Sequence, residues 1–337
     1  MNPSIGELAQ RLDQAQAVVL TTHSGPDGDG LGCLVALRRA LEAHGKTVLA
    51  LLPDELGSRY RFLDPEGRMI VVDDAGADDT RYDLALVLDT HDRQLLRGVN
   101  DWLEPRRIPL FFLDHHPLAD GPRPEVYGDI DAVATGCLIY RMLREHLHWP
   151  LDREIAEPLY ISLSFDTNSF KYLRNDPEAL LIAADLIRSG VDTTWVYRHL
   201  FASNPRRKAQ ALGWILSHVK FVSEGRMATV AIPHTLVSEL QLDRDDLRDG
   251  ITHILEIEGV EVAAALKEMH PGAIKISLRS KGNYHVNQVA QALGGGGHNL
   301  AAGCEMDGTL EQATSEIESR LEAVLAAGAV SASGSTH

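Results

Sequence analysis

Short apolar runs alternate with helical, amphipathic stretches along the first 190 residues. The predicted strands are Val18–Thr22, Val48–Leu52, Met69–Val72, Leu84–Leu88 and Leu110–Leu113. The predicted helices are Leu31–Ala43, Gly136–Glu145, Ile155–Ser164 and Pro177–Arg188. Such alternation predicts an α/β fold, with a doubly wound, mostly parallel sheet and helices on both faces.

The pattern changes after residue 190 and indicates a second, smaller domain. Val191–His218 is amphipathic and helical in pattern, which suits a connector. The strands predicted after it are Ala228–Ile232, Val260–Lys267 and Ile274–Arg279, and the helices are Asn287–Leu293 and Leu310–Ala326. We therefore predict a first domain at residues 1–190, a helical connector at 191–222, a smaller α/β domain at 223–328 and a disordered tail at 329–337.

Composition and charge narrow the classes of function. No apolar run approaches the roughly 20 residues that span a bilayer, and the N-terminus lacks a signal pattern, so we expect a soluble, cytoplasmic protein. The three cysteines form no CxxC pair, which argues against a disulfide framework or a thiolate metal site. A formal net charge of −16 disfavours long duplex DNA as a partner. A small phosphorylated substrate held by local cations stays compatible with it.

Acidic and imidazole side chains follow three of the predicted strands, where each strand ends. The first strand leads into His23, Asp27 and Asp29, the strand Leu84–Leu88 ends at Asp89, and Leu110–Leu113 is followed by Asp114-His115-His116. Sites of open α/β sheets form beyond the carboxyl ends of the strands. A single such aspartate could merely be solubilising, as Asp73 and Asp74 are after Met69–Val72. The whole set predicts one site.

The types of side chain in this set favour a divalent metal ion. Carboxylates combined with imidazoles suit a hard-to-borderline ion such as Mn²⁺, whereas zinc or iron–sulfur sites more often use thiolates. Five or six ligands exceed the needs of one ion and fit a pair of ions bridged by a carboxylate. Two such ions about 3.5–4 Å apart can activate water against a phosphate ester.

The ordered motifs resemble those of the DHH phosphoesterase superfamily. The N-terminal set is His23-x-x-Pro26-Asp27-Gly28-Asp29, then Asp89, then Asp114-His115-His116, then Asp166-Thr167. Near the other end, Arg279-Ser280, Gly294-Gly-Gly-Gly-His298 and Ala301-Ala302-Gly303 resemble the DHHA1 signature. By architecture the chain is similar to the compact nanoRNase (oligoribonuclease)/pAp phosphatase group. The resemblance implies a DHH catalytic domain, a DHHA1 substrate-binding domain and two Mn²⁺ ions, with Mg²⁺ or Co²⁺ as substitutes.

The resemblance also implies roles for individual residues. It assigns His23 and Asp27 to one metal ion and Asp29, His115 and Asp166 to the other, with Asp89 bridging both. Among the catalytic group of Asp89, Asp114 and His116, the resemblance places His116 at the scissile phosphate, and we expect Asp114 to orient His115 by a hydrogen bond. The substrate-binding residues implied are Arg279, Ser280, Gly295, Gly296, Gly297 and His298. An adjacent helix N-terminus would help the glycine segment to bind an anion, although such a segment can also be only a flexible turn.

The expected activity is a phosphodiesterase that hydrolyses short oligoribonucleotides and linear dinucleotides such as pApA and pGpG to nucleoside monophosphates. The alternatives are a 3′-phosphatase acting on adenosine 3′,5′-bisphosphate (pAp) and a cyclic di-AMP phosphodiesterase. A non-catalytic nucleotide sensor is the candidate from another class. We expect no long duplex DNA and no membrane among the partners. A homodimer follows by analogy only.

Overall fold

The computed structural model describes residues 4–76, 78–118, 123–242, 246–247, 250–282 and 284–333, except for the side chains of residue 298 and residues 328–333. The chain divides into two compact units, Met1–Ser203 and Asn204–His337. Because the boundary lies inside the predicted connector, 191–222, one helix of that segment belongs to each unit.

The first unit is built on a six-stranded parallel sheet. Its strands are β1 (Ala17–Thr22), β2 (Thr47–Leu52), β3 (Met69–Val71), β4 (Leu84–Leu88), β5 (Leu110–Asp114) and β6 (Val126–Gly128). The strand order is β3-β2-β1-β4-β5-β6, and every neighbouring pair is parallel. The chain leaves β1 toward β2 on one side and continues at β4 on the other, so β1 and β4 flank the point where the winding reverses. Crevices at such points are the usual ligand sites of this architecture.

Helices cover both faces of this sheet. The α-helices are α1 (Ile5–Gln14), α2 (Gly28–Ala43), α3 (Gly98–Leu103), α4 (Thr135–Arg141), α5 (Arg153–Asp166), α6 (Glu178–Arg188) and α7 (Thr193–Leu200). A π-helical turn, Met142–His146, continues α4, and 3₁₀ turns lie at Ser58–Leu63, Val72–Asp74, Arg93–Leu96 and Glu104–Arg106. Alternate residues of β1 enter different cores: Val18 and Leu20 pack with α2 and α5, whereas Val19 packs with α3. The predicted doubly wound α/β fold is confirmed.

Two glycines let three helices approach one another closely. A Cβ on Gly32 of α2 would lie 2.5 Å from the carbonyl oxygen of Pro158 in α5, and one on Gly136 of α4 would lie 2.0 Å from Oγ of Ser162 in α5. Real Cβ atoms do not approach other atoms so closely, so both positions require glycine. The contact holds the first turns of α2 and α4 beside α5.

The second unit has a mixed six-stranded sheet and helices on both faces. Its strands are β7 (Lys220–Val222), β8 (Met227–Ile232), β9 (Val262–His270), β10 (Ala273–Ser280), β11 (Gly296–His298) and β12 (Ala301–Asp307), in the order β11-β12-β10-β9-β8-β7. Its helices are α8 (Arg206–Ser217), α9 (His234–Glu239), α10 (Gly250–Leu255), α11 (Asn287–Ala292) and α12 (Leu310–Ser333), with a 3₁₀ turn at Ser223–Gly225. Among the strands that the structure describes in this unit, only β8 and β9 pair in parallel. One core packs α11 and α12 on the sheet, and the other packs α8, α9 and α10.

The structure departs from the sequence prediction in the tail and in several short elements. α12 continues to Ser333, so residues 329–333 of the predicted disordered tail are helical, and 334–337 lie outside the described residues. Alanines of high helix propensity carry the helix onward. The pattern also gave no indication of α1, β6, β7, β11 or β12. In the part of the chain that the structure describes, no helix is long and apolar enough to cross a membrane.

Glycine packing between α2 and α5 gives a test of the fold. We expect Gly32→Ala to lower the free energy of unfolding by about 1–3 kcal/mol, since the added methyl group meets the backbone of α5. Gly213→Ala is the matched control. Gly213 lies inside α8 with open space around it, and alanine there should stabilise by about 1 kcal/mol. Urea unfolding of each variant measures both changes, and equal effects of the two substitutions would contradict the packing argument.

Candidate metal centre

Three adjacent strands bring the predicted residues to one edge of the first sheet. Thr22 of β1 pairs with Leu88 of β4, and Leu88 pairs with Leu113 of β5. His23, Asp89 and Asp114 each come directly after one of these positions. Because the strands are parallel and in register, the three side chains start from neighbouring points of the same edge.

Two helix ends complete the site. Asp27 caps the N-terminus of α2, its side chain accepting a hydrogen bond from the Asp29 amide at 3.1 Å, and Asp29 lies in the first turn. Asp166 is the last residue of α5, so its side chain starts from a helix C-terminus. A Cβ on Gly28 would lie 2.6 Å from the Phe165 ring, so the start of α2 lies against the end of α5.

The structure gathers the predicted ligands into three overlapping groups of potential ligand atoms. Within each group these atoms lie within 4.8 Å of one another. The groups are His23, Asp27 and Asp89; Asp29, His115 and Asp166; and Asp89, His115 and His116. Nε2 of His23 lies 3.5 Å from Oδ2 of Asp89, whereas Nε2 of His115 lies 3.7 Å from Oδ1 of the same carboxylate. The two oxygens of Asp89 therefore face different groups.

Asp89 is held in an unusual backbone conformation and by a specific donor. Its φ of 66° lies in the left-handed region, which non-glycine residues rarely adopt and which clusters at functional sites. Oγ1 of Thr135, at the start of α4, donates to Oδ1 of Asp89 at 3.0 Å, and the Thr135 amide donates to Oδ2 of Asp29 at 2.8 Å. One residue thus fixes two of the carboxylates.

Asp29 is fully buried and surrounded by donors. Its Oδ1 accepts from Oγ of Ser162, from the Gly136 amide at 3.3 Å and from Sγ of Cys33 at 3.3 Å. Its Oδ2 faces Nε2 of His115 at 3.8 Å. Oδ1 is therefore occupied by donors from three helices, and Oδ2 is directed at the other predicted ligands.

Hydrogen bonds to backbone carbonyls determine which ring nitrogen of His23 and of His115 faces the other predicted ligands. Nδ1 of His115 donates to the carbonyl of Ala132 at 3.1 Å, and Nδ1 of His23 donates to that of Ser24 at 3.0 Å. A carbonyl only accepts, so Nε2 of each neutral ring carries the lone pair. Nε2 of His115 is buried without a hydrogen-bond partner, although Oδ2 of Asp166 lies 3.1 Å away. A buried imidazole nitrogen surrounded by carboxylates, whose lone pair is freed when its proton leaves, fits a metal ion.

Asp114 has a different partner from the one predicted. The expectation that it orients His115 is wrong, because the Ala132 carbonyl does so. Oδ1 of Asp114 accepts from Nδ1 of His116 at 2.7 Å and from the His116 amide at 3.1 Å, and Oδ2 accepts from Nδ1 of His91. The carboxylate is nearly fully buried. Asp114 therefore orients the imidazole that the family resemblance places at the scissile phosphate.

The carboxyl pKa values separate according to these surroundings. Burial, followed by repulsion from Asp29 and Asp27, raises the pKa of Asp89 well above its usual range. Burial and the charge of Asp29 raise the pKa of Asp166 to about 7. Burial would also raise the pKa of Asp114, but hydrogen bonds from His116 and His91 hold it below its usual range. Burial opposes protonation of His115, yet Asp166 and Asp29 raise its pKa to about 9. The cluster around Asp89 and Asp166 thus carries more negative charge than it can hold without bound protons or a cation.

The donor set fits metal binding. Its members are oxygen and imidazole ligands that suit Mg²⁺, Mn²⁺ or Co²⁺, and Asp89 offers one oxygen to each of two groups. The buried Nε2 of His115 is the second sign, since a bound cation would satisfy it. The site is therefore a candidate metal centre.

The predicted substrate-binding residues lie together in the second unit. Arg279 of β10 pairs with Ala301 of β12, and Ala301 also pairs with His298 of β11. Arg279 and His298 thus occupy one register row, two strand spacings or about 10 Å apart. Oγ of Ser280 donates to the carbonyl of Tyr284. The side chain of His298 lies outside the described part of the chain.

The glycine segment forms part of a strand and is not a flexible turn. It follows the C-terminus of α11 and enters β11, and the N-terminus of α11 lies beside its far end, where the Val286 amide donates to the carbonyl of Asn299 at 2.8 Å. Cβ atoms on Gly295 and Gly297 would lie 2.1 Å and 2.6 Å from carbonyl oxygens of β12, whereas none lies within 4 Å of a Cβ on Gly296. Packing explains two of the glycines, and Gly296 leaves open space for a ligand.

Sequence analysis missed His91, Thr135 and Ser162. Thr135 and Ser162 lie 46 or more positions from the carboxylates they contact, on helices whose predicted burial gave no indication of polar contacts. His91 comes two residues after Asp89, and that closeness to a predicted ligand was the available signal.

Thr135 gives a test of how the carboxylates are held. Thr135→Val keeps the shape but removes the hydroxyl donor to Asp89, so we expect Mn²⁺ affinity to fall about 10-fold or more. Thr135→Ser keeps the donor and serves as the matched control. Isothermal calorimetry on metal-free protein measures both, and a valine variant that binds as tightly as the serine variant would contradict the role.

Comparison with known proteins finds a matching family model in each of the two units. The family model for the "DHH family, N-terminal domain" matches residues 17–163, and the "DHHA1 domain" model matches residues 229–327. The crystal structure of an exopolyphosphatase-related protein from Bacteroides fragilis matches with a TM-score of 0.87 at 25% identity, covering 94% of this chain and 95% of that one.

Relatives with names that state an activity match most of the chain. A protein named bifunctional oligoribonuclease and PAP phosphatase NrnA, from Thermus thermophilus, is 29% identical over 321 residues, which cover 91% of this chain and 89% of the relative. Cyclic-di-AMP phosphodiesterase GdpP of Bacillus subtilis is 23% identical over 89% of this chain but only 46% of its own length. This chain belongs to the DHH/DHHA1 phosphoesterase superfamily, with a DHH domain followed by a DHHA1 domain.

Proposed function

We propose that this chain is a metal-dependent phosphodiesterase that hydrolyses short oligoribonucleotides and linear dinucleotides, such as pApA and pGpG, to nucleoside monophosphates. The observation that carries the proposal is the position of Asp89, whose two oxygens face two groups of ligands beside His116. A carboxylate shared in this way suits two ions acting on one phosphate group. The NrnA relative, named as an oligoribonuclease and PAP phosphatase, supports the substrate class.

Each ligand has an assigned ion in this proposal. His23 and Asp27 would hold one ion, Asp29, His115 and Asp166 would hold the other, and Asp89, which belongs to two of the groups, would contribute to both sites. When bound, two divalent ions supply a more acidic water and stabilise charge on the phosphate and the leaving oxygen. Mn²⁺ is the proposed metal because imidazole and carboxylate ligands occur together, and Mg²⁺ or Co²⁺ are proposed substitutes.

The protein's own residues orient the reacting groups. Asp114 fixes the ring of His116, and the backbone of Asp89 is turned so that its carboxylate lies between the two groups. We assign to His116 the contact with the scissile phosphate or leaving oxygen, because Asp114 holds its ring and 36% of its side chain is exposed. A preset imidazole of this kind stabilises developing charge without reorganising.

In this proposal the second domain binds one end of the substrate. We assign the non-scissile phosphate to Arg279 and Ser280, together with the segment Gly295, Gly296, Gly297 and His298. The shared register row of Arg279 and His298 and the open space at Gly296 support the assignment. A guanidinium binds a phosphate through two parallel hydrogen bonds. Recognition of one phosphate by a few groups suits short substrates and a chain with a net charge of −16.

Other activities use the same chemistry. A 3′-phosphatase acting on pAp is the second candidate, favoured by the printed name of the NrnA relative. A cyclic di-AMP phosphodiesterase is the third, favoured by the GdpP match, although that match covers less than half of GdpP. A nucleotide sensor without turnover is disfavoured because all of the predicted ligands converge.

Turnover distinguishes these candidates. We expect the Mn²⁺-supplemented wild type to release AMP from pApA faster than it cleaves a longer oligoribonucleotide, cyclic di-AMP or pAp, as measured by chromatography. Asp89→Asn should lower kcat at least 10³-fold, because it removes the charge facing both groups. Asp73→Asn is the matched control, since Asp73 also follows a strand but lies outside the site. Tight binding of one nucleotide without any turnover would favour the sensor instead.

The proposed phosphate grip gives a separate test. We expect Arg279→Ala to raise KM for pApA about 10- to 100-fold with little change in kcat, the loss expected for a charge-assisted hydrogen bond. Lys275→Ala removes a cation from the other end of the same strand and should leave KM unchanged. An unchanged KM in the Arg279 variant would remove Arg279 from the substrate site.

A further inference from the structure

We propose that His91 is a positioning residue of the catalytic site, holding the Asp114 carboxylate so that Asp114 keeps the His116 ring in one orientation. The proposal rests on the proposed function, in which His116 contacts the reacting phosphate. His91 is not among the ligands in any of the three metal groups, so its role differs from metal binding.

The two oxygens of Asp114 are divided between two imidazoles. Oδ1 accepts from Nδ1 and from the amide of His116, and Oδ2 accepts from Nδ1 of His91. The Asp114 side chain is only 1% exposed, so water has little access to either oxygen. The donor from His91 therefore takes the place that water would have on an exposed carboxylate.

His91 is itself held in place by its neighbours. Its carbonyl accepts from the guanidinium of Arg123 at 2.7 Å. The amide of the next residue, Asp92, donates to Oγ1 of Thr90 at 3.1 Å, and the Asp92 side chain caps the 3₁₀ turn that follows. These contacts hold the backbone of the turn after Asp89 in one conformation. The ring of His91 therefore contacts Asp114 from a fixed position.

A carboxylate with donors on both oxygens cannot rotate about its Cβ–Cγ bond without breaking a hydrogen bond. If the donor on Oδ2 is lost, Asp114 gains by turning toward water or toward a nearby cation, and the hydrogen bond to Nδ1 of His116 weakens. The ring of His116 then samples more orientations, and a small misplacement of a catalytic group lowers the rate strongly. His91 thus acts on the reaction through Asp114 and His116.

The chain offers a matched pair of substitutions at this position. His91→Leu removes the donor and keeps a side chain of similar size, whereas His91→Asn retains an amide N–H near the place of Nδ1. We expect the leucine variant to lower kcat on pApA about 10- to 100-fold, the usual loss for a residue that orients another. KM and the calorimetric affinity for Mn²⁺ should change less than about threefold, and the asparagine variant should recover most of kcat.

A double-mutant cycle separates positioning from general damage to the site. In a His116→Ala background the substitution His91→Leu should cost less than about threefold, because the group it positions is already gone. A full additional loss in that background, or a loss of Mn²⁺ affinity equal to the loss of kcat, would overturn the proposal.

A readout without turnover keeps this test apart from the test of function. The downfield proton NMR signal of the His116 Nδ1–H, identified by its absence in His116→Ala, should broaden or move upfield in the leucine variant and persist in the asparagine variant. If the wild type cleaves no phosphodiester, the proposed function fails while this signal still decides the positioning role. An unchanged signal in the leucine variant would overturn it.

Discussion

Four aspartates of the first unit share one small volume, and their mutual repulsion is the constraint on which the arrangement around them depends. They are Asp27, Asp29, Asp89 and Asp166. Burial and neighbouring carboxylates raise the pKa of Asp89 and Asp166, which means that the folded chain holds protons there more tightly than an exposed aspartate does. Cations held by these residues would remove this penalty and displace those protons, which would couple metal binding to proton release.

Several features of the fold serve to hold these charges at short distance. Parallel strands in register bring three chain segments to one edge, and glycines bring the first turns of α2 and α4 against α5. That close approach lets Thr135, Gly136 and Ser162 donate hydrogen bonds to Asp29 and Asp89. The glycines thus belong to the site as much as to the core, because a larger residue would separate the donors from the carboxylates.

The sequence predicts the edge of the sheet well and the contacts behind it poorly, for a physical reason. Strand ends are local features, so His23, Asp89 and Asp114 could be placed from apolar runs alone. The hydrogen bond from Ser162 to Asp29 joins residues that are 133 positions apart in the chain, and it forms only because α2 packs on α5. The partner of Asp114 was missed for the same reason, since a carboxylate beside two histidines can orient either, and only the carbonyl of Ala132 excludes His115. In the second unit, β12 was not predicted because it begins with Ala301-Ala302-Gly303, whose small side chains give only a weak apolar pattern.

The aspartates at this edge divide into two classes by the donors they meet. Asp89 and Asp166 lie among other carboxylates and take a raised pKa, whereas Asp114 accepts from two imidazoles and takes a lowered one. The first class needs cations, and the second already has its donors within the protein. Asp114 can therefore keep its partners when the charge at the neighbouring centre changes. In the proposed function, such a division would let ions and phosphates exchange beside His116 while the ring of His116 stays in place.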